Sequence, residues 1–342
     1  MQPTSSSKSA FMALAIVLIF VISWELYIRH KGAVLDYDDG PELWSNNRAM
    51  IYEPADKATV FIGSSRIKFD LDIATWQTLT GNHAIQMALV GSDPRPCLHD
   101  LANDPNFKGK LLVDVTEGIF FSNDGGSSPN AAIKYYKKRT LAQRAGFEIN
   151  HLLESQFVFL NTGHFSLNVF LDSLHFKDRK GVSPPVPWPA NFSMVTFDRQ
   201  NKMVDKFLAD TIERNQIRWI WMCFGRDNYT PQIITGKALD TIMNSVKVDA
   251  DRIKARGGEV IFLRTPSNGP DLAEEKKYYP RNKYWDRLLT VTGCKGIHFA
   301  DHPVISKLIC PEYSHLNPRD AIIYTQNLIS ILKHDEGWKF NK

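Results

Sequence analysis

Two short stretches near opposite ends of the chain carry residue types that can do nucleophilic chemistry together. The first is "ATVFIGSSRIKFDLD", residues 58–72, where an apolar run meets Gly63, Ser64, Ser65 and Arg66. The second is "CPEYSHLNPRD", residues 310–320, where Glu312 and His315 stand three residues apart ahead of Asn317 and Pro318. A carboxylate so close to a histidine can hold one imidazole nitrogen while the other faces a hydroxyl. A serine paired with that ring gives up its proton as it attacks a carbonyl, and the ring returns the proton to the leaving group. The chemistry is ester hydrolysis or acyl transfer. Each stretch also has a plainly structural reading, as a strand-to-helix turn with a serine N-cap and as a loop histidine beside an acid.

The elements that must position these residues follow from the hydropathy pattern. Short apolar runs bounded by turn residues predict strands at 59–63, 84–91, 110–115, 259–266 and 296–301. Helical spacing predicts helices at 96–102, 235–256 and 318–333, the second stopped by Gly257 and Gly258. Asn317 and Pro318 have the types expected at the N-cap and first position of the last helix. Strands alternating with helices predict an α/β fold on a doubly wound parallel sheet of about five strands. Such a sheet places the Gly-Ser-Ser turn at its carboxyl end, where α/β enzymes carry their chemistry. Residues 120–234 break the alternation, being long, aromatic and crossed by the proline run "SPPVPWP", and predict a helical insertion over one end of the sheet.

The amino terminus is of another kind. Residues 11–28 are apolar except for Glu25, which is about one bilayer span of helix. Trp24 and Tyr27 suit an interfacial belt, with Glu25 at headgroup level, and no small-x-small cleavage site follows. The expected organisation is a transmembrane anchor at 1–31, a polar lead-in at 32–57 whose Trp44 packs on the body, and an α/β domain at 58–342. Lys8 and the terminal amine balance Arg29 and Lys31, so charge alone leaves the orientation open. The formal charge is +4, and with half of it in the first 31 residues the remainder is too neutral to ask for nucleic acid. Four cysteines without a CxxC pair indicate neither a zinc ribbon nor a redox motif. "HFADH", 298–302, has no third partner in the sequence, so neither a metal nor a cofactor is expected.

In this order on an α/β background, the "IGSSR" turn, the "ALVGSD" glycine turn and the terminal "ExxHLN" loop resemble the SGNH (GDSL-type) hydrolase superfamily, over residues 59 to about 332. The resemblance implies a three-layer sandwich in which Ser65 is the nucleophile, His315 the general base and Glu312 the acid that orients it. Gly63-Ser64-Ser65 matches the family's Gly-Asp-Ser with Ser64 in place of aspartate, and Glu312 stands where aspartate is commoner. Gly91 matches the second motif, whose backbone N–H joins that of Ser65 in an oxyanion hole. The third motif, Gly-x-Asn-Asp, is missing after the third strand, where Thr116-Glu117-Gly118 follows. Thr116, or Asn228 in "GRDN", is the candidate replacement for its asparagine.

Arg66, Arg264 and Ser267 are expected at the carboxyl edge of the sheet, either as contacts to an acidic or hydroxyl-rich substrate or in structural ion pairs. The resemblance and the anchor together imply a single-pass membrane protein, its catalytic domain in the periplasm or at the cell surface. It would be a serine esterase or O-acyltransferase acting on acylated carbohydrate of envelope or extracellular polysaccharide. Its lipid partner is the bilayer, through residues 11–28. A reading of a different class is a catalytically silent scaffold or binding subunit of an envelope assembly. The missing third motif points toward that reading, and the retention of Ser65, Glu312 and His315 points away from it.

Overall fold

A computed structural model describes residues 5–123, 128–161, 188–189, 192–223 and 233–340. Along the chain, Ser5–His30 (α1) and Pro41–Met50 (α2) precede Ala58–Ile62 (β1), Ser65–Asp70 (α3), Ile73–Thr80 (α4) and His83–Gln86 (β2). Arg95–Ala102 (α5), Lys110–Asp114 (β3), Glu117–Phe120 (α6), Ser128–Lys138 (α7) and Leu141–Glu154 (α8) follow. Ser193–Val195 (β4), Asn201–Met203 (β5), Asp205–Ala209 (α9), Thr211–Cys223 (α10), Gly236–Ala255 (α11) and Glu259–Arg264 (β6) come next. Gly269–Tyr278 (α12), Trp285–Thr292 (α13), Lys295–His298 (β7) and Pro318–His334 (α14) complete the order.

The chain divides into two units, Met1–Asp38 with Thr140–Pro185, and Asp39–Arg139 with Val186–Lys342. The larger unit is built on a five-stranded sheet in the order β2-β1-β3-β6-β7. All four strand pairings are parallel. β1 and β3 are near-continuous apolar runs because both faces of a parallel sheet are covered. Val60, Ile62, Leu111, Val113, Val260 and Phe262 face one apolar layer with residues of α2, α5, α11 and α13. Phe61, Leu112, Ile261, Leu263 and Ile297 face the other, with residues of α3, α4 and α14. The order reverses between β1 and β3. The carboxyl ends of the strands flanking such a switch point form the crevice in which α/β folds bind ligands, and here Ser64 and Ser65 follow β1 while Thr116 follows β3.

Several elements differ from the sequence expectation. The lead-in forms α2, whose Trp44 is fully buried and donates its indole N–H to Met87 O at 3.0 Å. β2 ends at Gln86 rather than 91, because the Gln86 side chain turns in to accept from Ala88 N and to donate to Ile67 O. β7 ends at His298, whose ring caps a short 3₁₀ turn over Phe299–Asp301. Within 120–234, α7 packs on α2 and α5, and β4 and β5 form an antiparallel hairpin.

In the smaller unit, α1 contains a 24-residue segment long and apolar enough to cross a membrane. Glu25 does not stand free at its end: the carboxylate accepts the backbone N–H groups of Val158 and Phe159, each at 3.0 Å.

Candidate active site

Ser65 is the first residue of α3, directly beyond β1. Gly63 is needed just before it, since a Cβ there would lie 2.6 Å from Asp114 Cβ and 2.7 Å from Ile67 Cγ2. The Ser65 hydroxyl is half-buried and lies 2.8 Å from Nε2 of His315. Nδ1 of the same ring is 2.9 Å from Glu312 Oε1, which also accepts the His315 backbone N–H at 2.6 Å. Glu312 and His315 are buried, 0% and 2% exposed. A carboxylate on Nδ1 leaves Nε2 unprotonated toward the serine, the tautomer that can accept a hydroxyl proton.

The loop holding Glu312 and His315 is gripped from three sides. From α3, Arg66 donates to Ser314 Oγ at 3.2 Å, and Asp70 accepts the Leu316 N–H at 2.9 Å. From α10, Arg218 donates twice to Pro311 O and lies over the Tyr313 ring, and Trp221, one turn on, donates its indole N–H to Glu312 Oε2. From α14, the Asn317 side chain accepts from Arg319 N and Asp320 N, fixing where the loop enters the helix. Tyr313 has φ +82, so the loop stores backbone strain beside the histidine. Phe69, Phe192 and Trp221 surround the imidazole, with ring centroids 4.4, 6.2 and 5.9 Å from it.

Ser64 points elsewhere. Its hydroxyl is 2.8 Å from Thr116 Oγ1, and Thr116 donates onward to Asp114 Oδ2 at 3.4 Å. Burial pushes the Asp114 carboxyl up to about 6, and Thr265 donates to its other oxygen. Gly91 stands in the turn after β2 at φ +61 with open space where a side chain would be. Its loop is tied to β1 by Leu89 N–H donating to Gly63 O at 3.1 Å, and Arg199 braces the same loop by donating to Gln86 O and Ala88 O. Arg199 also pairs with Asp39, which pairs in turn with Lys68 of α3. Burial, together with Arg199, pushes the Lys68 ammonium down to about 8.

The structure gives the candidate substrate contacts Arg66, Arg264 and Ser267 internal partners. Arg264 pairs with Glu117 at 2.8 Å and with Glu275, Arg66 pairs with Glu275, and Ser267 Oγ donates to Glu275 at 2.6 Å. Burial alone would raise the Glu275 carboxyl, but Arg264 and Arg66 outweigh it and hold the group at about 2. These residues form a buried ionic cluster under the loop, as charges in a protein interior must when they lack water. Asn228 lies outside the described residues.

Trp221, Arg218 and Arg199 are among the residues of the site that sequence reasoning did not single out. The only signal for the first two is the i, i+3 spacing in "RWIW", which puts them on one side of a helix. Near His298, the ring accepts from Ala300 N and Asp301 pairs with Arg281. No protein-family model matches the chain, and a search of curated proteins finds no match to it.

Proposed function

We propose that the chain is an SGNH-like serine esterase or O-acyltransferase working through an acyl-Ser65 intermediate. The observation that carries the reading is the hydrogen-bonded series Ser65, His315, Glu312 at the carboxyl end of β1. His315 takes the Ser65 proton as Oγ attacks the ester carbonyl, and Glu312 steadies the imidazolium that forms. The developing oxyanion is met by the N–H of Ser65, which as the first helical residue has no partner within its helix, and by that of Gly91. His315 then protonates the departing alcohol. In the second half, water or a sugar hydroxyl gives its proton to His315 as its oxygen attacks the acyl carbonyl, and His315 returns that proton to Oγ as the Ser65–acyl bond breaks.

The substrate class, O-acyl groups of envelope or extracellular polysaccharide, rests on the family resemblance and on α1 as a membrane anchor with the body outside the cytoplasm. Trp188, half-exposed and edge-on to Trp221 at 5.4 Å, supports it by offering a flat apolar surface near the site of the kind sugars stack on. Protease accessibility in spheroplasts tests the placement: a body protected until the inner membrane is breached removes both the outward orientation and the polysaccharide.

A silent scaffold remains the second reading, favoured by one observation. Glu117, at the position of the missing third motif, is committed to Arg264. A fluorophosphonate probe separates the two readings. The enzyme labels as wild type and as Ser64→Ala but not as Ser65→Ala or His315→Ala, whereas a scaffold labels in none of them.

A further inference from the structure

The helix α8 turns its apolar side outward. At about 100° per residue, Leu141, Ala145, Ile149, Leu152 and Leu153 share one side of it, edged by the exposed Glu148 next to Leu141, and Gln143, Phe147, Asn150, His151 and Glu154 share the other. Leu141, Ile149 and Leu152 are 80%, 63% and 62% exposed, while the partly covered residues of the helix are Phe147, His151 and Glu154. An amphipathic helix on a water-soluble domain does the reverse, burying its apolar stripe and showing water its polar side.

What covers the stripe follows from where α8 ends. The chain runs from Glu154 through Gln156 into a 3₁₀ turn at Val158–Leu160, and that segment is bound to the carboxyl end of α1. Glu25 accepts the N–H groups of Val158 and Phe159, and Arg29 donates to Gln156 O at 2.9 Å. Glu25 and Arg29 stand beside Trp24 and Tyr27, aromatic types that mark the level at which a span leaves hydrocarbon. The end of α8 is therefore held at that level, where Leu153 and Phe157 are 46% and 39% exposed.

We propose that α8 lies in the membrane interface beside α1, its Leu141, Ile149, Leu152 and Leu153 side set into the headgroup and acyl boundary. The proposal rests on the reading of α1 as a membrane anchor. The occupant is the bilayer that α1 spans. Arg144 is outnumbered within α8 by Glu148 and Glu154, so attraction to anionic lipid contributes nothing and insertion is driven by apolar burial alone. Two attachments, one spanning and one lying flat, then fix the orientation of this unit on the membrane surface.

The test uses the full chain in phosphatidylcholine liposomes, labelled with an environment-sensitive nitrobenzoxadiazole at single added cysteines. Doxyl-labelled lipid is the quencher, and wild-type protein carried through the same labelling gives the background. Labels at Ile149→Cys and Leu152→Cys are expected to emit to the blue and to be quenched about twofold or more over Arg144→Cys and Asn150→Cys. Added salt or phosphatidylglycerol leaves the pattern unchanged. Equal weak quenching at all four positions overturns the proposal, as does blue-shifted emission without quenching, which places protein on the stripe. Leu18→Cys in α1 separates the two claims. If Leu18→Cys is quenched and Ile149→Cys is not, only the interfacial helix fails; if Leu18→Cys is not quenched, the anchor fails.

Discussion

The indole N–H of Trp221 donates to Oε2 of Glu312, while Oε1 of the same carboxylate takes both the ring and the backbone N–H of His315. Both oxygens of this buried acid thereby accept from donors on two elements, which fixes its angle toward the imidazole. Trp221→Phe keeps the ring and removes the donor. A hydrogen bond to a buried charge is worth about 1.5–3 kcal/mol, so kcat on p-nitrophenyl acetate is expected to fall about tenfold or more with little change in KM. An unchanged kcat would mean that Trp221 only packs against the loop.

The two serines are separated by geometry, one facing His315 and the other Thr116. Ser65→Ala and His315→Ala are each expected to remove nearly all turnover, on the order of ten-thousandfold, because members of a catalytic series act as a unit. Glu312→Ala is expected to leave more residual rate, since in the proposed mechanism it orients the base without exchanging a proton with substrate. Ser64→Ala stays within about tenfold of wild type, having lost one net hydrogen bond of about 1 kcal/mol. Steady-state rates on one small ester check all four, and a dead Ser64→Ala beside a live Ser65→Ala would reverse the assignment.

The ionic cluster under the loop makes a prediction about stability. Glu275 serves two arginines and Ser267, so Glu275→Gln takes the carboxylate partner from buried Arg66 and leaves Arg264 with Glu117 alone, and is expected to cost about 3–5 kcal/mol. The cluster holds the carboxyl at about 2, below its ordinary value near 4.5. The folded state therefore binds fewer protons between those values, and this contribution is complete above about 4.5 and is lost as pH falls toward 2. Denaturant unfolding across that window should show a shallower acid loss in Glu275→Gln than in wild type. Parallel curves would remove the cluster from the acid response.

Much of this architecture is legible in the sequence because local pattern and tertiary role agree. "TVFIG", "KLLVDV" and "EVIFLR" are apolar on both faces and lie within a residue or two of the observed β1, β3 and β6. Local pattern placed Ser65 at the end of a strand and His315 before a capped final helix, while their meeting was what the SGNH resemblance implied. α2 was not legible, since its ten residues carry little periodicity and what holds it is long-range, Trp44 entering the apolar layer and donating to Met87 O. Nor was Trp221, whose partner is 91 residues away and whose surroundings read as an apolar run. Arg264 illustrates a different limit: an arginine type at a strand end does not say whether it faces a ligand or, as here, Glu117 and Glu275.

An acyl group that passes through Ser65, as proposed, is bound covalently to that residue between the two half-reactions. Brief exposure of the full chain to p-nitrophenyl acetate, followed by an acid quench and peptide mass mapping, tests it directly. One acetyl group is expected on the peptide containing Ser64 and Ser65, assigned to Ser65 by fragmentation. That adduct should be absent in His315→Ala and should disappear from wild type with time as water completes the cycle. Hydrolysis of the ester with acetyl on Ser64 or on any other residue, or turnover undiminished in Ser65→Ala, would contradict it.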